Sequence, residues 1–263
     1  MTQFHVMAGA RGERERLGVR SITIADVVDA LRLGLEDFRA RPSHYAFLCL
    51  IYPFIGLILI RWSSGGGAVQ LVFPLMSGFA LVGPFAAIGL YEVSRRRELG
   101  MDASWRDALA VRHSPALPAI AAVGGLLVVL FLCWLFAAQA VYAAIYGDAR
   151  PASLTAFVGE VLATERGWRL ILVGTAVGFV FAVVVLLTTV VAFPLLIHRD
   201  VGAVAAVETS VRAVVANPVP MAAWGLIVVA GLVLGALPLL AGLAVTLPVL
   251  GHATWHLYRK VVE

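Results

Sequence analysis

The chain has 263 residues, 61% of them apolar and only 14% charged, with a mean hydropathy of +0.92. That balance excludes a soluble globular domain and points to a polytopic helical membrane protein. The formal net charge of +4 does not signal a nucleic-acid partner, because most of the basic residues flank apolar runs, where membrane topology explains them.

Residues 1–22 are polar, contain "RGERER" and are expected to form a disordered cytoplasmic N-terminus. The first 40 residues hold no uninterrupted apolar run, so no cleavable signal peptide is expected. "TIAD" at 23–26 has the form of a capping box in which Asp26 replaces the usual Glu or Gln. Ile24, Val27, Val28, Leu31, Leu35 and Phe38 then share one face, and Asp26, Asp29, Arg32, Glu36 and Arg39 the other. This spacing predicts an amphipathic helix lying flat in the cytoplasmic interface, or packed on a partner protein.

A first span is expected over about 44–60 and, after the turn "RWSSGGG", a second over about 68–91. The charged segment 92–114 leads into a third span over about 116–146, which is followed by an external loop at 147–168. A fourth span covers about 169–197, and the stretch 198–218 is again polar to amphipathic. The last apolar block, 221–257, would be ~55 Å long as a single helix, nearly twice the ~30 Å hydrocarbon core. It therefore reads as two short spans meeting near Leu237 and Pro238, giving about six spans in all. Seven basic residues precede the first span, five lie in 92–115, two in 198–218 and two in the C-terminal tail. That distribution places both termini in the cytoplasm.

The two long cytoplasmic segments resemble each other: "RELG" at 97–100 matches "RDVG" at 199–202, and each is followed by a helix-forming stretch, a proline and a span. "HSPALP" at 113–118, "ANPVPM" at 216–221 and "ARPSHY" at 40–45 mark three such starts. Proline suits the first turn of a helix, where its missing N–H is not needed. The expected fold is thus an all-α transmembrane bundle in one integral membrane domain, residues 23–263. Its three repeats, each an interfacial helix plus two transmembrane helices, run over about 23–91, 92–197 and 198–258.

Few residues could carry chemistry. Glu92 lies three and four residues before Arg95 and Arg96, good spacing for ion pairs on a helix. With Arg97 they form a candidate binding group for anionic lipid headgroups, and as a bare ion-pair cluster they would serve topology alone. No carboxylate lies deep in a span, which weighs against an ion-coupled transporter. His252 and His256 in "HATWH" are four apart and share a helix face, a spacing that can hold a metal if His198 or His44 supplies a third ligand. The same histidines beside Trp255 and Tyr258 also suit an aromatic belt. "GTAVG" at 174–178 and "GLVLG" at 231–235 are small-residue patterns suited to close helix packing. Cys49 and Cys133 both fall in expected spans and read as small buried hydrophobes without a disulfide. No nucleophile elbow, phosphate loop or carboxylate pair is present, and neither catalysis nor a cofactor is expected.

"GPFAAIGLYEVSRRRELG" at 83–100 with "SWRDAL" at 104–109, and "NPVPMAAWG" and "LPVLGHATWHLYR" towards the C-terminus, resemble a family of bacterial integral membrane proteins. The family is labelled domain of unknown function 2189. The resemblance covers most of residues 20–260 and implies a multi-span inner-membrane protein with no established activity. Some members of the family carry a loose label likening them to cytochrome oxidase subunit I. An oxidase core needs histidines within its spans to hold haem and copper, and these lie at span ends; a respiratory membrane-protein partner remains compatible. Three functions stay open: a non-enzymatic accessory or scaffold protein, alone or as a homo-oligomer; a passive transporter or channel for a small neutral solute; and a metal- or haem-handling protein.

Overall fold

The computed structural model describes residues 17–40, 69–104, 109–238 and 240–263, with a few single positions besides. The first expected span, with His44 and Cys49, lies outside the described residues. Within them the chain is helical, and its only extended pairing is an isolated antiparallel bridge between Val19 and Val262.

Helix α1, Ile24–Ala40, begins as expected. Thr23 Oγ1 and its backbone N–H both donate to Asp26 Oδ2 at 2.8 Å, and Asp26 N donates back to Thr23 Oγ1 at 3.3 Å. The aspartate therefore closes a capping box as a Glu would. The second expected span is interrupted. A 3-10 turn, Val69–Leu71, leads into α2, Val72–Leu81, α3, Gly83–Ala86, and α4, Ile88–Glu98. The breaks flank Gly83–Pro84, where glycine and proline both oppose a continuous helix.

Helix α5, Leu117–Tyr146, matches the third expected span, with Pro118 in its first turn. The loop at 147–168 is not irregular: it contains α6, Leu154–Ala163, capped by Ser153 Oγ on Ala156 N at 3.2 Å. The fourth span divides into α7, Glu165–Thr189, and α8, Ala192–His198. Pro194 in the first turn of α8 brings no amide to a continuing ladder, and at the break Val191 N donates to Ser210 Oγ at 3.2 Å. Helix α9, Ala203–Ala216, is followed directly by α10, Pro218–Ala236, whose proline stands in its first turn. The last apolar block does fold back on itself, with α11 over Leu243–Val261. The turn between them bonds its own backbone, Leu240 N to Ala236 O at 3.0 Å and Leu243 N to Leu240 O at 3.1 Å.

Among the described residues three stretches are long and apolar enough to cross a membrane: Leu117–Tyr146, Glu165–His198 and Pro218–Ala236. Their outward positions are large and apolar, among them Phe136, Leu172, Phe179 and Leu226, each at least 66% exposed. Cys133 is likewise exposed on α5 rather than buried, because its helix turns much of its apolar surface outward. Helix α11 is not among these stretches. Its second half, from Gly251, carries His252, His256, Arg259 and Lys260 and lies outside them.

The described helices fall into two units. One holds α1, α4, α8, α9, α10 and α11, with the start of α5 and the end of α7. The other holds α2, α6 and the greater part of α5 and α7. In the second unit Trp134 is the centre: its Nε1–H donates to Pro74 O at 2.8 Å, and its ring meets Phe181 edge-on at 5.7 Å.

In the first unit α1 packs on α11 through Val27, Ala30, Gly34 and Asp37, all buried. A Cβ at Gly34 would lie 2.5 Å from Ala253 N, so the two backbones touch. The apolar stripe read from the sequence is rotated away from this seam, leaving Ile24 and Val28 exposed. Residues 17–22 belong to the stretch expected to be disordered, yet they are held in place. Arg20 N donates to Val261 O at 2.8 Å, Glu263 N to Gly18 O at 3.1 Å and Ile22 N to Asn217 Oδ1 at 2.8 Å. Backbone polarity holds this segment, which side-chain composition alone does not reveal.

Candidate functional site

The polar groups of the first unit converge where α1, α4 and the second half of α11 meet. Asp37 is the hub. Ser94 Oγ donates to Asp37 Oδ2 at 2.6 Å, and His256 Nε2 lies 3.0 Å from the same oxygen. Arg97 Nε reaches Asp37 Oδ1 at 3.1 Å, and its Nη1 donates to the Asp37 carbonyl at 3.3 Å. Behind Ser94, His252 Nδ1 is 2.7 Å from the hydroxyl. Leu90, Val93 and Ala103 close the apolar side, with Phe38 and Leu247 against them.

Donor and acceptor capacity orders the protons. An ionised carboxylate only accepts, so His256 donates from Nε2. Ser94 has one hydroxyl proton and gives it to Asp37, so His252 donates from Nδ1 to Ser94 Oγ. Burial works to raise the Asp37 pKa, but the hydrogen bonds it accepts from His256 and Ser94 outweigh it and leave the carboxyl below its usual range. Burial pushes His252 down to about 4, against the pull of Asp37, and keeps it neutral. Ser94 and His252 are both 0% exposed. The serine stands between acid and imidazole, whereas an activated nucleophile has the imidazole between the other two.

Of the residues expected to bind headgroups, Glu92 takes Arg95 through two bonds, Nε to Oε2 at 2.8 Å and Nη2 to Oε1 at 2.9 Å, and Arg96 Nε at 2.8 Å. Glu92 is itself only 6% exposed. Arg97 leaves this group altogether and serves Asp37. The expected histidine set is divided as well. His252 and His256 do share a face, but it is turned to Ser94 and Asp37. His198 Nδ1 lies 2.7 Å from the Tyr258 hydroxyl, with its ring edge-on to Trp255. Among the described residues no group of three His, Cys, Asp or Glu side chains is placed to hold a metal.

Beside the hub, Glu98 accepts from Trp255 Nε1 at 2.9 Å and Arg259 Nε at 2.8 Å. Burial pushes the Tyr258 hydroxyl up to about 12, so it stays protonated. Asp37 and Ser94 escaped the sequence reading. The available signal was Ala30 and Gly34, small residues that continue through Val27 and Asp37 at helical spacing and mark a close-packed face.

A family model described as a predicted integral membrane protein, domain of unknown function 2189, matches residues 72–198. Its span includes Glu92, Ser94 and the three arginines, but neither Asp37 nor the α11 histidines. No curated protein and no solved structure matches the chain.

Proposed function

The chain belongs to this family of predicted integral membrane proteins, and from that premise we propose that it is a non-enzymatic accessory or scaffold protein of a membrane complex. One observation carries the reading. The groups of the hub and its neighbouring ion pairs, Asp37, Ser94, His252 and Glu92, are each at most 6% exposed and bonded to partners within the unit, while Ile24 and Val28, nearer the start of α1, are 51% and 56% exposed. A buried, mutually bonded network holds a shape, and an exposed apolar stripe on the same helix gives a surface for docking.

The wider setting of the proposal is a bacterial inner membrane with both termini cytoplasmic and about six spans in three repeats. Support for the repeats comes from α5 and α10, which both begin at a proline-bearing first turn after a short helical segment. The ion pairs of Glu92 would then lie at the cytoplasmic interface, where the outer edges of Arg95 and Arg96 meet anionic headgroups.

Mild-detergent affinity purification from native membranes, read by protein mass spectrometry, tests the reading. A stoichiometric partner is expected, lost when Ile24→Glu and Val28→Glu are combined in a chain that still inserts. Recovery of the chain alone would sink the scaffold role and favour the transporter reading, for which solute flux in liposomes is the measurement.

A further inference from the structure

We propose that the seam between α1 and α11 is an acid-opened clasp, in which His252 gains a proton only when α1 lifts away from α11. The inference stands apart from the scaffold reading and needs no partner. Its basis is geometric: one hydrogen-bonded chain, His252–Ser94–Asp37–His256, crosses three helices, and its inner end is an imidazole with no exposed surface.

The groups facing His252 are Ser94 and Arg97 from α4, Asp37 from α1 and His256 on its own helix. Asp37 Oδ2, 3.8 Å from Nδ1, is the one group that favours a charged ring. Burial, Arg97 and His256 all oppose it. A second proton on the ring therefore has no place in the closed arrangement. Lifting α1 carries Asp37 away but opens the ring to water, which solvates the charge better than one shared carboxylate does.

The sign follows from linkage. His252 titrates near 4 in the closed form, against 6.5 when solvated, so the open form binds more protons between those values. The clasp is fully stable above pH ~6.5 and weakens as pH falls towards ~4. Asp37, held below 3.8, contributes nothing to the change in this window. Opening would bare Val27, Ala30 and Gly34, the small apolar face now covered by α11.

Hydrogen–deuterium exchange of peptides from residues 24–40 tests this, using the full chain in lipid nanodiscs at pH 7.5 and 5.5 and correcting for intrinsic exchange. The opening equilibrium of α1 should rise by about tenfold at the lower pH. The rise should vanish in His252→Gln and persist in His256→Gln. Equal opening at both pH values, or the same rise in His252→Gln, overturns the clasp. Should that variant not fold, exchange at the imidazole carbon of His252 in the unaltered chain reads its titration directly. A midpoint well below that of a solvated histidine supports the clasp, and one at or above it overturns the clasp.

Discussion

The seam of α1 on α11 and the outer surface of α7 are both helix faces, yet they are built from opposite materials. The most apolar window of the Glu165–His198 stretch has a mean hydropathy of 2.9 and is only 6% buried. The seam is lined by Ala30, Gly34, Asp37, His252 and Ala253, three of them small and two ionisable, and all are buried. In water the apolar face would be the hidden one. In a bilayer the lipid is as apolar as leucine, so grease marks the outside of α7, whereas the seam, outside the membrane-crossing stretches, is held by close backbone approach and satisfied polar groups. The polar minority of this chain is where its specificity resides.

Substitutions on the two faces should therefore separate widely. Asp37→Ala removes the one acceptor shared by Ser94, His256 and Arg97 and should cost about 3–5 kcal/mol, the penalty of orphaning buried charged partners; thermal unfolding in detergent measures it. Gly34→Leu puts a side chain against the Ala253 backbone, which cannot yield, and should cost about 3 kcal/mol. Gly174→Leu, where a Cβ meets only open space, should leave the melting temperature unchanged or raise it slightly.

The two small-residue motifs sharpen the comparison. A Cβ on Gly231 would lie 3.1 Å from Leu250, and one on Gly235 would meet Thr246 and Leu243, so α10 and α11 touch there. Gly178 instead faces the Trp134 ring at 3.2 Å. Gly235→Ala should cost about 1–2 kcal/mol, against no measurable loss for Gly174→Ala in the same unfolding assay. A modest loss, about 1 kcal/mol, is expected at Glu92→Gln, because Arg95 and Arg96 keep partial access to solvent at 28% and 21% exposure. Labelling of single cysteines placed in the loop at 147–168 checks whether topology also shifts.

The helices were largely legible in the sequence. Apolar run length located α5, α10 and the α7–α8 stretch, and Thr23 with Asp26 gave the start of α1. Breaks were harder to read: prolines stand at 84 and 194, but whether proline bends a helix or ends it depends on what captures the freed backbone, as Ser210 does for Val191. The site was legible only in part. Spacing put His252 and His256 on one face and paired Glu92 with its arginines. It could not reveal that Asp37, 215 residues before His252 in sequence, would receive His256 directly and His252 through Ser94, since long-range pairing leaves no local pattern.

The short pairing of residues 18–20 with 261–263 also bears on how the protein is made. Ile22 and Arg20 are bound by Asn217, which lies 195 and 197 residues further along the chain. A ribosome feeding spans into the membrane in order cannot complete this latch when it makes the first part of it. Residues 17–22 must wait until α9 and the end of α11 have been synthesised, and closing so long a loop comes late and slowly. The latch thus separates insertion from maturation: a chain interrupted before Val261 can hold its spans in the bilayer and still lack the finished first unit.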